Sequence, residues 1–247
     1  MNKDLIQSRF AKNLKTYNEN ARIQKRMAER LVTFLNKNNY AKILEIGCGT
    51  GFLTELINNR ITFEKLTAID IVEDCRSYIN NINPEIEFIN ADIEEFINSN
   101  NEKYDLIISN ATLQWAEDFK GLIKKLESKL CTNGELLFST FGKENFREIY
   151  HVIGTTLDYY SQFELEEIFP QAKIDSEIHI MAFESPKEVL KHLQLTGVNA
   201  IENKTWTKKD LIKFENGYKN LCSRRPTLTY NPVYVAISNQ VKQSPTG

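Results

Sequence analysis

The chain has 247 residues, of which 41% are hydrophobic and 26% are charged, and its formal net charge is −2. This composition excludes a fibrous or disordered protein and is typical of one globular domain. No apolar run is long enough to span a bilayer, and the first residues lack the apolar stretch of a secretion signal. The four cysteines show no C-x-x-C spacing. We therefore expect neither a zinc site nor a disulfide framework, and a cytoplasmic location.

Charge is segregated along the chain. Residues 1–42 contain ten Lys and Arg against three Asp and Glu, and residues 186–230 contain nine against four. Residues 43–185 between them contain eleven basic and twenty-six acidic residues. Such placement bears on partners and encounter rates rather than on fold. The acidic middle argues against the continuous basic face that nucleic acid binding would need.

The first two thirds of the chain alternate between predicted helices and strands. Apolar residues from Lys3 to about Asn38 recur at helical spacing with basic residues between them. Short apolar runs then predict five strands, at Lys42–Ile46, Leu66–Ile69, Ile86–Ile89, Tyr104–Ser109 and Glu135–Phe141. Helices are predicted over Thr50–Asn59, Glu73–Ile82 and Phe119–Leu130. This alternation implies a doubly wound α/β sheet, which binds its ligand beyond the carboxyl ends of its parallel strands.

Beyond Phe141 the alternation ends. The sequence predicts a helix from Glu144 to about Tyr160, a strand at Ile178–Phe183, a basic helical stretch over Pro186–Cys222, and a last strand at Val233–Ile237. We interpret the basic stretch as a lid, at about 186–227, inserted between the last two strands. The expected organisation is one domain over residues 1–240 with cap helices over 1–40, followed by a flexible tail over 241–247.

A glycine-rich turn follows the first predicted strand, in the segment Leu44-Glu45-Ile46-Gly47-Cys48-Gly49-Thr50-Gly51. Glycines allow the backbone to approach a ligand closely, but their G-x-G-x-G spacing differs from that of dinucleotide sites. Glu45 is placed to accept from an ammonium group. Asp70, after the second strand, can accept from both hydroxyls of a ribose, and Asp92, after the third, is placed to meet an adenine amino group. Together these features describe a nucleoside ligand with a cationic amino-acid end and no phosphates.

The pattern E-x-G-x-G-x-G, followed by Asp70 and then Ala91-Asp92, resembles that of the class I S-adenosylmethionine-dependent methyltransferases. This resemblance implies a Rossmann-like sheet, mostly parallel with an antiparallel last strand, and S-adenosylmethionine as cofactor with S-adenosylhomocysteine as product. The cofactor-binding residues that we expect are Gln24, Glu45, Gly47, Cys48, Gly49, Gly51, Asp70, Ile71, Ala91, Asp92, Ile93, Asn110 and Ala111. In this fold the segment after strand four, Ser109 to Trp115, borders both the sulfonium and the substrate, so Asn110 is also a catalytic candidate.

Several further segments resemble the biotin-pathway enzymes that methylate malonyl-acyl carrier protein. The resemblance runs from about Arg9 to Asn239, and its specific segments lie towards the two chain ends. The segments are Arg9-Phe10, Tyr17–Ala21 with Gln24, Ser109–Trp115, Phe138–Gly142 with Glu144–Phe146, His192-Leu193 with Thr196–Ala200, and Leu228–Tyr234. The resemblance implies methyl transfer to the free carboxylate of a malonyl thioester, giving the malonyl methyl ester used for pimeloyl synthesis. The Ser-Asn-Ala and Gln-Trp element also occurs in carboxyl methyltransferases of small free acids, such as the trans-aconitate type.

The expected chemistry agrees with what the sequence lacks. A carboxylate is already ionised at neutral pH, so no general base is needed, and we find no Ser-His-Asp set and no metal ligands. By the family resemblance, Tyr17 lies in an N-terminal helix that closes over the site, and we assign it catalytic and substrate-binding roles. The other substrate-binding candidates are Trp115 as a pocket wall and Arg147, Arg225 and Tyr230 as donors to the carboxylate.

The basic segments suggest how the substrate is delivered. Acyl carrier proteins are strongly acidic, so basic residues around the mouth of the site would steer and dock them. The lysines that we expect in this role are Lys204, Lys208, Lys209, Lys213 and Lys219. We expect no nucleic acid, membrane or metal partner. The alternatives are methylation of a small free acid and, in another class of function, a non-catalytic protein that binds S-adenosylmethionine.

Overall fold

The computed structural model describes residues 3–196, 207–222 and 224–239. The first half contains α1 (Lys3–Asn20), α2 (Arg22–Leu31), β1 (Asn39–Ile46), α3 (Phe52–Arg60), β2 (Thr62–Asp70), α4 (Cys75–Ile82), β3 (Glu87–Asn90), α5 (Ile93–Ser99), β4 (Tyr104–Asn110), α6 (Phe119–Ser128) and β5 (Leu130–Phe141). The second contains α7 (Arg147–Ile153), α8 (Gln162–Ile168), β6 (Lys173–Ser176), β7 (His179–Ala182), α9 (Pro186–Leu195), α10 (Lys208–Leu221), β8 (Thr227–Tyr230) and β9 (Pro232–Ser238). Two 3₁₀ helices, Val32–Phe34 and Leu113–Trp115, complete the described elements.

The main sheet has seven strands in the order β3-β2-β1-β4-β5-β9-β6. Strands β1 to β5 pair with one another in parallel, and β9 is antiparallel to both β5 and β6. The doubly wound, mostly parallel sheet with an antiparallel last strand is therefore confirmed. Strand order reverses between β1 and β4, so the carboxyl ends of these two strands flank the crevice where a ligand is expected.

The sheet is covered on both faces. Ile43 of β1 faces a core shared with α2, α3 and α4, whereas its neighbour Leu44 faces a core shared with α5, α6 and α8. Both side chains are fully buried, because successive residues of a strand point to opposite faces. Burial on both sides explains why the central strands are continuous apolar runs rather than alternating ones.

The N-terminal helical segment is divided, because α1 ends at Asn20 and α2 begins at Arg22. The helix predicted from Glu144 to Tyr160 is shorter than expected: α7 ends at Ile153, and the following Gly154 adopts a left-handed conformation with φ of 82°. The sequence pattern missed α5, which begins after the short strand β3.

The predicted strand over Ile178–Phe183 does not belong to the main sheet. Its counterpart β7 pairs with β8 in a separate two-stranded sheet, and the sixth strand of the main sheet is β6. The pattern was misleading because Ile178 and Ile180 are 48% and 57% exposed, whereas β6 contains a single apolar residue. The basic stretch lies between β7 and β8 in the chain, and therefore also between β6 and β9 of the main sheet. The predicted tail over 241–247 lies outside the described residues, and the domain boundaries stay predictions.

A buried carboxylate joins α7 to β8. Glu148, in the first turn of α7, accepts hydrogen bonds from the hydroxyl of Thr227 at 3.0 Å and from the amide and hydroxyl of Thr229 at 2.8 and 2.7 Å. Its side chain is buried, so the ion depends on these donors rather than on water. This contact anchors the small sheet that carries the insertion.

We expect Glu148→Ala to lower the free energy of unfolding by about 3 kcal/mol, because it leaves buried donors of Thr229 without an acceptor. Urea unfolding followed by circular dichroism measures this change. Glu144→Ala is the matched control, since the side chain of Glu144 is exposed and its carboxylate pairs with the exposed Arg147 at 3.5 Å. We expect it to cost less than about 0.5 kcal/mol. Equal losses in the two variants would contradict the proposed anchoring role of Glu148.

Candidate cofactor and substrate site

A cavity lies beyond the carboxyl ends of β1 to β5, and α1 covers it. Its wall combines the turns after the strands with one face of α1, so residues distant in sequence meet there. Residues of the wall from α1, α2 and the turn after β1 are Lys3, Gln7, Phe10, Tyr17, Gln24, Gly47, Cys48, Gly49, Thr50, Phe52 and Leu53. Those from the remaining turns and from beyond β5 include Asp70, Ile71, Val72, Ala91, Asp92, Ile93, Glu94, Asn110, Ala111, Thr112, Leu113, Gln114, Trp115, Ala116, Phe141, Tyr159 and Thr196.

The glycine-rich turn requires glycine for a steric reason. Gly47 has φ of 70°, and a Cβ built there would lie 2.2 Å from the side-chain oxygen of Thr112. Its amide donates to the carbonyl of Ile69, as does that of Cys48. The turn is thereby held against the end of β2. Gly51, also left-handed, precedes the first residue of α3 and does not line the cavity.

Asp70 ties the end of β2 to this turn. Its carboxylate accepts from the amide of Gly49 at 2.8 Å and from the amide of Val72 at 2.9 Å. Burial raises the pKa of Asp70, and the two amides oppose that rise. The thiol of Cys75 and the amide of Ile71 also lie near the carboxylate and favour its charged form. The placement fits the predicted role of Asp70 towards a ribose.

Asp92 caps α5 and also meets α1. One of its oxygens accepts from the amides of Glu94 and Glu95, and the other lies 2.8 Å from the ammonium of Lys3. Lys3 lies 2.6 Å from Glu94 as well. Burial disfavours the charged form of Lys3, but the hydrogen bonds and charges of Asp92 and Glu94 favour it more strongly. The pKa of Lys3 is therefore raised. No sequence pattern indicates this ion pair, because it depends on how α1 packs.

Glu45 does not line the cavity, contrary to the direct contact that we expected. The residue is 1% exposed, and neither carboxylate oxygen has a hydrogen-bond partner among the described residues. Burial raises the pKa of Glu45 to about 8, and the charge of Asp70 adds to the rise. The hydroxyl and amide of Thr54 are near enough to oppose it in part, without completing a hydrogen bond. An unpaired buried acid of this kind commonly marks a functional site.

The helix α1 is held over the cavity by several contacts. The side-chain amide of Gln7 donates to the carbonyl of Ile71 at 2.7 Å, and the hydroxyl of Thr50 donates to Asn18. The ring of Tyr17 lies 5.0 Å from that of Phe10 and 6.1 Å from that of Phe52. Tyr17 therefore stands on the cavity wall, in a position that agrees with the closing helix implied by the family resemblance.

Asn110 is fixed by both ends of its side chain. Its amide nitrogen donates to the carbonyl of Gln24 at 3.0 Å, and its oxygen accepts from the hydroxyl of Ser139 at 2.7 Å. The next residue, Ala111, has φ of 52°, which is unusual for a residue with a side chain and occurs often at functional sites. Asn110 lines the cavity, but its side chain is committed to joining β4, β5 and α2.

The structure corrects three of the substrate-binding candidates. Arg147 and Arg225 do not line the cavity; they pair with the exposed acids Glu144 at 3.5 Å and Glu184 at 3.2 Å. Tyr230 is fully buried behind the wall, and its hydroxyl bonds His192. The fourth candidate, Trp115, does line the cavity.

The sequence missed the residues that close the cavity at this end, among them Phe141, Tyr159 and Thr196. Two of these have a partial signal, since Phe141 and Thr196 fall inside segments of the family resemblance. Tyr159 has none, because it lies in an irregular stretch between α7 and α8.

Two further structural features bear on the class of protein. The described residues contain no group of three or more His, Cys, Asp or Glu side chains that could hold a metal ion. None of the helices in that same part of the chain is long and apolar enough to cross a membrane.

Comparison with known proteins places the chain in a family. A family model described as a methyltransferase domain matches residues 17–175. A protein named malonyl-[acyl-carrier protein] O-methyltransferase from Calditerrivibrio nitroreducens is 40% identical over 230 residues, covering 90% of this chain and 91% of that protein. A protein of the same name from Chlorobium luteolum is 34% identical, covering 98% and 97% of the two chains.

Solved structures support the same fold. A putative methyltransferase from Bacillus halodurans has a TM-score of 0.62 at 11% identity, covering 87% of this chain and 99% of its own. The N-methyltransferase NodS from Bradyrhizobium japonicum, in complex with S-adenosyl-l-homocysteine, has a TM-score of 0.58 at 16% identity, covering 95% and 98%. The chain belongs to the methyltransferase-domain family and, within it, to the group of proteins named malonyl-[acyl-carrier protein] O-methyltransferase.

Proposed function

We propose that the chain transfers a methyl group from S-adenosylmethionine to the free carboxylate of a malonyl thioester on acyl carrier protein. The observation that carries the proposal is the 40% identity, over 90% of the chain, to a protein named for this reaction. The product is the malonyl methyl ester, whose masked charge suits chain-elongating enzymes with apolar pockets. In this proposal it serves pimeloyl synthesis for biotin, and a cytoplasmic location stays a prediction.

The residues at the cavity fit the proposed cofactor. The turn at Gly47 brings backbone close to the ligand space, and Asp70 on the cavity wall offers its carboxylate to a ribose. Asp92 and Ile93 stand at the adenine end of the proposed site, and Gln24, Asn110 and Ala111 stand at the amino-acid end. Glu45 lies beneath the turn as an unpaired acid, and a cation in the cavity would favour its ionised form even without direct contact.

The proposed chemistry requires positioning rather than a base. S-adenosylmethionine supplies a methyl group that a carboxylate oxygen attacks, while the carbon–sulfur electron pair stays on sulfur. The residues of the cavity hold the carboxylate in line and, with α1 in place, exclude water. Orientation alone can supply roughly 7–11 kcal/mol of the barrier reduction. Since the reacting charges cancel in the transition state, exclusion of water favours the reaction further.

Two alternatives remain distinct from this proposal. One is a carboxyl methyltransferase acting on a small free acid, which shares the segment from Ser109 to Trp115. The other is a non-catalytic protein that binds S-adenosylmethionine. The cavity extends beyond the cofactor turns to a substrate end that is lined by Trp115, Phe141 and Tyr159. This substrate end supports an enzyme over a protein that only binds the cofactor.

In the decisive experiment, the protein is incubated with methyl-labelled cofactor and malonyl-carrier protein, and the mass of the carrier is measured by mass spectrometry. We expect one added methyl group that mild ester hydrolysis removes, and none on acetyl-carrier protein, which has no free carboxylate. Transfer to free small acids but not to the malonyl carrier would establish the first alternative instead. Cofactor binding without transfer to any acid would establish the second.

The raised pKa of Glu45 predicts a pH-dependent stability. A carboxyl group with a raised pKa binds its proton more tightly in the folded protein than in the unfolded chain. Its contribution to the free energy of unfolding is therefore complete below the ordinary pKa of 4.5 and is lost as the pH rises towards 8. Without cofactor, wild-type protein should lose stability over this range relative to Glu45→Gln, which should also bind S-adenosylhomocysteine more weakly.

Urea unfolding at pH 5 to 8 and calorimetric titration with S-adenosylhomocysteine measure both effects. Glu55→Gln is the matched control, because Glu55 is an exposed acid on α3. It should follow the wild type in both measurements. Identical pH profiles for wild type and Glu45→Gln would show that Glu45 is not the group that titrates.

We further propose that the basic cap and lid dock the acidic carrier protein. Four of the predicted lysines, Lys208, Lys209, Lys213 and Lys219, lie on α10, and Lys204 lies outside the described residues. None of these four forms an ion pair with another described residue, so their charges are available to a partner. Uncompensated surface charge of one sign raises the association rate with a partner of the other sign.

Charge reversal at Lys209 and Lys213 should lower kcat/KM for the malonyl carrier at least tenfold at low salt. It should leave kcat/KM unchanged for malonyl-N-acetylcysteamine, which has the malonyl carboxylate but none of the acidic residues of the carrier. The loss should shrink at high salt, where screening weakens steering. Reversal at Lys124 and Lys125, exposed on α6, is the matched control. Equal losses on both substrates, or no loss on the carrier, would exclude the docking role.

A further inference from the structure

Among the described residues, none supplies a free cation to the substrate end of the cavity. Lys3 is the only Lys, Arg or His among the described residues that line the cavity. Its ammonium is already shared between Asp92 at 2.8 Å and Glu94 at 2.6 Å, at the end of the cavity assigned to adenine. A substrate carboxylate must nevertheless find hydrogen-bond donors, because an unpaired buried ion costs several kcal/mol.

Three tyrosines lie at or behind the cavity wall, and two of them, Tyr159 and Tyr230, are buried. Tyr17 and Tyr159 line the cavity together with Phe141, and Tyr230 lies directly behind. The ring of Phe141 is 6.3 Å from that of Tyr159 and 6.0 Å from that of Tyr230. The hydroxyl of Tyr230 is 2.7 Å from Nε2 of His192, which closes the back of the group.

The hydroxyls of this group are neutral donors. Burial raises the pKa of Tyr17, Tyr159 and Tyr230. A negative charge on Tyr17 or Tyr159 would raise the pKa of Tyr230 further. The three hydroxyls therefore keep their protons near neutral pH. Burial lowers the pKa of His192 to about 4, so its imidazole is also uncharged near neutral pH.

The two hydroxyls on the cavity wall are available to a ligand. That of Tyr17 makes no hydrogen bond within the described part of the chain. That of Tyr159 faces the side chain of Asn145, whose amide nitrogen is itself without a completed hydrogen bond. Thr196, the neighbouring polar residue of the wall, donates its hydroxyl to the carbonyl of His192 at 2.9 Å, so it cannot serve as a donor to the ligand at the same time.

We propose that the hydroxyls of Tyr17 and Tyr159 form an uncharged recess that binds the carboxylate of the substrate, and that Tyr159 is its second donor. This inference rests on the proposed function, since it assigns the carboxylate end of that substrate. Hydrogen bonds to an ionised acceptor are stronger than those between neutral groups.

An uncharged recess has a consequence for the reaction. An arginine would neutralise the carboxylate in the ground state, and that attraction would be lost as the oxygen acquires its methyl group. Neutral hydroxyls orient the carboxylate while leaving its charge to face the sulfonium. The recess thus orients the substrate without the strong ground-state stabilisation of the carboxylate that would be lost in the transition state.

Removal of one hydroxyl tests the recess without altering the packing of the rings. Protein saturated with sinefungin, a cofactor analogue in which a protonated amine replaces the methylsulfonium and no methyl group can be transferred, is titrated with malonyl-N-acetylcysteamine and with acetyl-N-acetylcysteamine, which lacks the carboxylate. We expect wild type to bind the malonyl compound more tightly than the acetyl one. Tyr159→Phe should weaken malonyl binding roughly 10- to 100-fold, with acetyl binding and the Kd for S-adenosylhomocysteine unchanged. Tyr150→Phe, at a tyrosine that is 56% exposed on α7, is the matched control and should bind as wild type does.

Three outcomes would overturn the recess: no malonyl preference in wild type, equal weakening of both compounds by Tyr159→Phe, or malonyl binding by Tyr159→Phe that matches Tyr150→Phe. A tenfold loss of malonyl binding in Lys3→Met, with unchanged S-adenosylhomocysteine binding, would identify Lys3 as the counterion and overturn it as well. Failure of the proposed function is separate, because it is a lack of methyl transfer by wild type to the malonyl thioester, whatever the binding results.

Discussion

The carboxylate of Asp70 is the contact on which the site depends. By accepting from the amides of Gly49 and Val72, it fixes the glycine turn after β1 against the end of β2. The amide of Gly47 completes the junction through the carbonyl of Ile69. These bonds align the ends of neighbouring strands at one edge of the sheet. The turns after β3 and β4 then reach the same cavity because all four strands are parallel.

The site is rich in acids and poor in cations, and this imbalance suits its proposed ligand. Asp70, Asp92 and Glu94 line the cavity, Glu45 lies unpaired beneath it, and the one described cation of the wall is Lys3. A protein keeps such unpaired buried acids at a cost in stability, which a cationic ligand can offset. The same imbalance would repel an anionic substrate unless the sulfonium draws it in and neutral hydroxyls hold it. The acid-rich wall, the proposed cofactor and the proposed tyrosine recess are therefore parts of one electrostatic arrangement.

The sequence predicted the features that local pattern and parallel topology determine. Asp70, Asp92 and Asn110 follow apolar strands directly, so a doubly wound sheet brings them to one edge, and the structure places all three on the cavity wall. Residues such as Lys3 and Tyr159 could not be found this way, because the packing of α1 and an irregular stretch decide their positions. Arg147 and Arg225 were chosen for their charge alone, and neighbouring surface acids bind them instead. The pairing of β7 with β8 was missed because exposed isoleucines resemble a core strand in sequence.

The central claim is that this site works by positioning an ionised carboxylate, with no group acting as a base. The most direct test is the single-turnover rate of methyl transfer from the preformed complex with malonyl-carrier protein and cofactor, measured between pH 6 and pH 9. A carboxylic acid with a pKa near 4 is ionised throughout this range. Catalysis by positioning therefore predicts a rate that does not change with pH. A rate that rises tenfold per pH unit towards a plateau would reveal a general base and contradict the claim.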